Sequence, residues 1–124
     1  RGEKGEAEGK DCAAIANIVR SAALPAAMVA AFEQSLGLPL ARRLLDALEA
    51  GEAAGGERQS VVSAALLVVH RESFPYVDLR VDDHPQPIAE LGRLWSMYEP
   101  EADAYVVRAV DPEQAVPPPG MKIA

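Results

Sequence analysis

The chain has 124 residues, 49% of them hydrophobic and 25% charged, which suits one globular domain and not a disordered or coiled-coil chain. Twelve Lys and Arg against nineteen Asp and Glu leave a net charge of −7, which disfavours a nucleic-acid partner and docking on an anionic membrane. The longest apolar run, Ala64 to Val69, falls far short of the ~20 residues of a spanning helix. With no basic-then-apolar leader and a single cysteine, Cys12, a cytoplasmic location is expected.

Residues 1–10 carry three glycines and no apolar side chain beyond Ala7, so they read as a flexible lead-in. The main domain is expected over 11–110. Cys12 to Val19 is small, apolar and β-branched at its end, a short strand. Ser21 offers an N-cap and Pro25 a first turn for a helix with Leu24, Met28, Phe32 and Leu36 on one face, ended by Gly37. Pro39 opens a second helix, with Leu40, Leu44 and Leu48 inward and Arg42, Arg43, Asp46 and Glu49 in water. Residues 51–56 end it with paired glycines.

Val61 to His70 is almost continuously apolar, the pattern of a strand covered on both faces. Val77, Leu79 and Val81 then alternate with Asp78, Arg80 and Asp82, a strand with one apolar and one charged face. Pro87 opens a third helix with Ile88, Leu91, Trp95 and Tyr98 on one side, and Pro100 a fourth through Tyr105, Val106 and Ala109. Residues 111–124 form a Pro-rich extended tail. The expected fold is α+β in the order β-αα-ββ-αα. Three strands, one of them apolar on both faces, imply a sheet that is incomplete within this chain.

Motifs for chemistry are sparse. Cys12 with His70 or His84 would form a thiol–imidazole pair only if the fold brought them together; otherwise Cys12 is a small core residue. Ser63 lacks a nucleophile-elbow sequence. Asp82 and His84 project to one side of an extended chain, which suits an ion pair with Arg80, a cap, a pocket or two ligands of a metal; a metal needs more. The loop Gly55-Gly56-Glu57-Arg58 lacks the spacing of a phosphate cradle, and Pro117–Pro119 lacks that of a groove-docking motif. No metal or cofactor is expected.

Four stretches carry a resemblance: Asn17-Ile18, residues 41–57, residues 63–69, and above all DLRVDDHPQPIAELGRLW at 78–95. Together they resemble the Ntn-hydrolase-like domain-of-unknown-function family 1028, from about Cys12 to about Ala115. The chain is similar only to the C-terminal half of members about twice as long. The resemblance implies the αββα sandwich of N-terminal-nucleophile hydrolases, with the N-terminal half supplying further strands and a Thr, Ser or Cys nucleophile. Here residue 1 is Arg and the chain contains no threonine.

Asn17, Gly55, Gly56, Asp78, Arg80, Asp82, Asp83 and His84 match the family pattern. Glu57 stands where the family has Asp, Gln59 where it has Arg, Ser60 where it has Gly and Val62 where it has Gln. The implied function is hydrolysis of a small amide, with Asn17 a candidate oxyanion donor and the other matching residues, with Glu57, candidates for a substrate pocket. The alternative is a catalytically inactive scaffold or assembly module that retains the fold. The expected partner is an N-terminal half of the same protein or further copies of this chain.

Overall fold

The computed structural model describes residues 2–121, so Arg1 of the expected lead-in and residues 122–124 of the expected tail lie outside the described residues. The lead-in itself is a strand. β1 (Glu3–Gly9) pairs antiparallel with β2 (Cys12–Val19) across a two-residue turn in which Asp11 takes a φ of 59°, a conformation Asp tolerates. Gly5, Ala7 and Gly9 alternate with exposed Lys4, Glu6 and Glu8. The small residues let the strand lie close on the following helix: a Cβ on Gly9 would collide with the Glu33 carboxylate and with Val29. Glycine here serves close packing, and mobility was the wrong expectation.

α1 (Leu24–Gln34) carries Pro25 in its first turn, and Ser21 Oγ accepts from the Ala23 N–H at 3.2 Å. Leu24, Val29 and Phe32 are buried and Met28 is half-buried. Leu36, expected on the same face, lies beyond the helix and is 78% exposed. The helix stops at Gln34 because Ser35 Oγ donates to the carbonyls of Ala31 and Phe32, both at 3.0 Å.

α2 (Leu40–Ala53) is turned relative to expectation. Ala41, Leu45, Ala47 and Gly51 are buried, Leu44 and Leu48 half-buried, and Leu40 exposed. The helix is packed on two sides, against α1 as well as the second hairpin and third helix, so no single leucine stripe is its core face. Gly51 admits Met28 and Leu24 of α1 at this contact. Arg42 stays on the wet side, bonding Asp46 and Glu49 at 2.8 Å each. Arg43 does not: its guanidinium lies 3.7 Å from the Phe32 ring centroid and donates to the Phe32 carbonyl.

β3 (Ala64–Val68) and β4 (Val77–Val81) form the second antiparallel hairpin. Leu66, Val68, Val77 and Val81 are buried, as the alternation in β4 requires. β3 is shorter than the apolar run and covered on one face only: Leu67 is 58% and Val69 64% exposed. The double cover expected of this strand is therefore absent within the described residues.

α3 (Pro87–Tyr98) buries Leu91 and Trp95, and a 3₁₀ turn at Glu99–Glu101 leads into α4 (Ala102–Val110). A second 3₁₀ turn at Pro112–Gln114 precedes the extended end of the described chain. The order is thus ββ-αα-ββ-αα, with two two-stranded sheets where one three-stranded sheet was expected. α2, β3, β4 and α3 share one core cluster built on Leu45, Leu66, Val77, Leu91 and Trp95. Truncating Leu45 there would cost about 2–5 kcal/mol.

Candidate functional site

The end of β2 sets the site. Ile18 takes a φ of 58°, an outlier for a β-branched residue, and is the extra residue where the pairing jumps from Lys4–Asn17 to Glu3–Val19. Gly2 makes this possible, because a Cβ there would overlap the Ile18 backbone. The bulge turns β2 toward the loop after α2. Val19 bridges Glu57 in antiparallel fashion, Arg20 N–H donates to the Gly56 carbonyl at 3.0 Å, and Arg58 N–H to the Ile18 carbonyl at 3.0 Å. Arg20 clamps the same loop through its guanidinium, which donates to the carbonyls of Glu57 at 3.2 Å and Arg58 at 3.4 Å. Gly55 and Gly56, at φ 121° and 62°, supply backbone that other residues rarely adopt.

From that bridge β2 and the segment leading into β3 diverge, leaving a groove of about 790 Å³ bordered by Asn17, Arg20, Glu52, Gly56, Glu57 and Ser63 among others. It continues into a second hollow of about 530 Å³ bordered by Cys12, Phe32, Leu40, Leu44 and Leu67 among others. Ile15, Met28, Leu48 and Ala65 border both.

The structure brings Asn17 together with Gly55, Gly56 and Glu57 at the groove. The Asn17 side chain is exposed and makes no hydrogen bond among the described residues, so its amide is available to a ligand. Asp78, Arg80, Asp82, Asp83 and His84 do not border the groove. Arg80 and Asp82 pair at 2.9 Å while 69% and 80% exposed, a weak contact at a wet surface. His84 is pinned at the entry to α3: its N–H donates to the Val62 carbonyl and its Nδ1 accepts from the Gln86 N–H, each at 2.9 Å. Asp83 is exposed.

These two sets still share one property. Asn17 and Ile15 lie on the face of β2 turned away from α1, and Asp78 and Arg80 lie opposite Leu67 and Ala65 on the bare face of the second hairpin. Sequence reasoning singled out the polar members and missed the rest: Ile18, whose bulge aims β2, and Arg20, which holds the loop. Nothing in the local sequence marks either one.

Cys12 lies on the second hollow, whose walls include neither His70 nor His84. His70 instead packs on Tyr76, ring centroids 5.8 Å apart, beside a small cleft of about 220 Å³. The Tyr76 hydroxyl donates to Asp103 at 2.7 Å, and that bond, with burial, pushes its pKa up to about 12. Burial also raises the Tyr98 hydroxyl. Among the described residues no three His, Cys, Asp or Glu gather as a metal site, and no helix is long and apolar enough to cross a membrane.

The chain matches no curated protein. Among solved structures it resembles the crystal structure of protein SPO2555 from Silicibacter pomeroyi, assigned to DUF1028, at 38% identity and a TM-score of 0.65. The match covers 77% of this chain and 41% of that one, so this chain spans less than half the length of its relative. The family model of DUF1028 matches residues 1–91. The chain belongs to DUF1028, a family of unknown function.

Proposed function

We propose that this chain is the C-terminal part of an Ntn-type hydrolase acting on a small amide, with the nucleophile carried by an N-terminal half. The observation that supports this most directly is the groove at the Ile18 bulge, where the unengaged Asn17 amide faces the Gly55–Glu57 loop. In that reading a Thr, Ser or Cys at the start of the other half attacks the carbonyl. Asn17 then donates to the oxyanion that develops, and the loop borders the substrate. The helix-free faces of the two hairpins suit the inner surface of an αββα sandwich. Asp78, Arg80 and Asp82 would face the second layer there, positioned to contribute to the pocket.

A non-catalytic scaffold is the second reading. It draws on the groove wall itself, where Gln59 and Val62 replace an arginine and a glutamine of the resembled pattern and where no threonine exists in the chain. Co-expression with the N-terminal half of a DUF1028 relative, assayed on a panel of small amides, decides between them. The hydrolase reading expects turnover that falls about 10²–10³-fold in Asn17→Ala. A stable two-part complex with no turnover of any amide supports the scaffold.

A further inference from the structure

The two hollows form one trough, and its walls are strand edges. One side is bordered by consecutive residues of β2, Cys12 to Asn17, and the other by residues on either side of Ala65. Side chains of a strand alternate between faces, so a hollow bordered by consecutive residues runs along an edge and not over a face. The floor is apolar, made by Met28, Phe32, Leu44 and Leu48 of α1 and α2. β2 is paired with β1 on its far side and β3 with β4 on its far side. Along the trough itself, the bridge at Val19 and the bonds flanking it are the pairing seen among the described residues.

Strand direction fixes what fits. The Val19–Glu57 bridge is antiparallel, and the chain continues from it past Ser63 into β3, so β3 runs opposite to β2. One added strand would lie parallel to a neighbour. Two strands joined by a tight turn keep every neighbour antiparallel.

We infer that the trough receives a two-stranded β-hairpin from the portion of the longer family protein that has no counterpart here, joining both hairpins into one antiparallel sheet over α1 and α2. This rests on the half-domain reading above and names the surface and the form of its partner. The added hairpin meets two open edges through its backbone and sets alternate apolar side chains on the floor. The length is available, because more than half of the Silicibacter pomeroyi protein lies outside the match. A second copy of this chain is poorly suited: both of its hairpins already cover helices or core, and the outward row of β1 is Lys4, Glu6 and Glu8.

The test co-expresses residues 1–124 with the unmatched portion of the Silicibacter pomeroyi protein and follows amide hydrogen exchange. Protection is expected for the trough-side amides of β2 and β3, with the outer edges of β1 and β4 unchanged. Leu40→Glu, on the trough floor and already 45% exposed, should weaken the complex roughly tenfold or more without lowering the melting temperature of 1–124. Leu38→Glu, 50% exposed and off the trough, should leave it unchanged. Absence of a complex, protection confined to the outer edges, or protection of the trough edges by concentrating 1–124 alone overturns the inference. Edge protection without amide turnover keeps it and removes the hydrolase reading; turnover without edge protection does the reverse.

Discussion

Val19 and Glu57 form an isolated antiparallel bridge that ties the end of β2 to the loop following α2. Because Val19 is 3% exposed and Arg20 bonds across the same junction, this end of the trough is fixed while the other end gapes. The bulge at Ile18 is what lets β2 serve β1 on one edge and the loop on the other. Strain of this kind, of order 1–3 kcal/mol, persists where the surroundings over-determine it. Ile18→Gly relieves the positive φ but removes a β-branched side chain and adds backbone freedom. The stability change should therefore be small and the bridge preserved, as amide exchange at Arg20 and Arg58 would report.

Leu79→Asp tests the face assignment of β4. Leu79 is half-buried opposite Leu66 and packs on the core cluster. A carboxylate there loses packing and is held against apolar neighbours, a cost of several kcal/mol. The variant should be largely unfolded at room temperature by far-UV circular dichroism. A cooperative melt near that of the unaltered chain would show that this face is not core.

Much of this architecture is legible in the residues themselves. The bounds of β2, the alternation of β4, and the Leu91–Trp95 face of α3 follow from period and proline placement, because each element meets one neighbour on one face. α2 misleads because it packs on two sides, so its leucines at 40, 44 and 48 mark the trough margin and not the deepest core. β1 is a different case: its small–charged alternation is visible, but three glycines weigh toward disorder unless the helix they pack against is known. The trough cannot be read from the sequence at all, since it arises where two hairpins far apart in the chain fail to meet.

Arg43→Ala should destabilise the chain by about 1–2 kcal/mol. The guanidinium stacks on Phe32 and donates to the Phe32 carbonyl at 2.9 Å near the C-terminal end of α1, where cations are favoured. Lysine keeps the charge but not the planar stack, so Arg43→Lys should recover only part of the loss. Equal melting temperatures for all three proteins would remove this contact from the account of α1–α2 packing.

Tyr76 gives the alkaline limb of stability a defined window. Its folded-state pKa of about 12 lies above the ordinary value of 10.0, chiefly through the hydroxyl bond to Asp103. The neutral hydroxyl is the form that the fold prefers, so this contribution is complete below pH 10 and is lost as pH rises through 12. Tyr76→Phe should be less stable than the unaltered chain at pH 8, and the difference should shrink between pH 10 and 12. A difference that stays constant across that window would assign the loss to packing and not to the ionisable bond.

Asp82→Asn should leave stability within about 0.5 kcal/mol, since its pairing with Arg80 is open to water on both sides. A drop of several degrees in melting temperature would make Asp82 a structural residue. If the second layer covers this face in the complete protein, the same variant becomes costly there, because Arg80 would be left buried without its partner. Comparing isolated chain and complex therefore reports on the cover as well as the residue.

The bare faces themselves predict behaviour in solution. Ile15 is 81% exposed, Leu67 58% and Val69 64%, all on hairpin faces turned from the helices. Clustered apolar exposure beside open strand edges favours self-association, so residues 1–124 alone should scatter light as oligomers or aggregates at micromolar concentration. Ile15→Lys combined with Leu67→Lys places two like charges where neither side chain supports the core. The double variant should therefore shift the chain toward monomer while its melting temperature changes by no more than a degree or two. The same pair should prevent the chain from joining an N-terminal half, because the charges would then be buried between layers. A parent chain that is monomeric from the outset would show that these faces need no cover, and the case for a missing layer would fall with it.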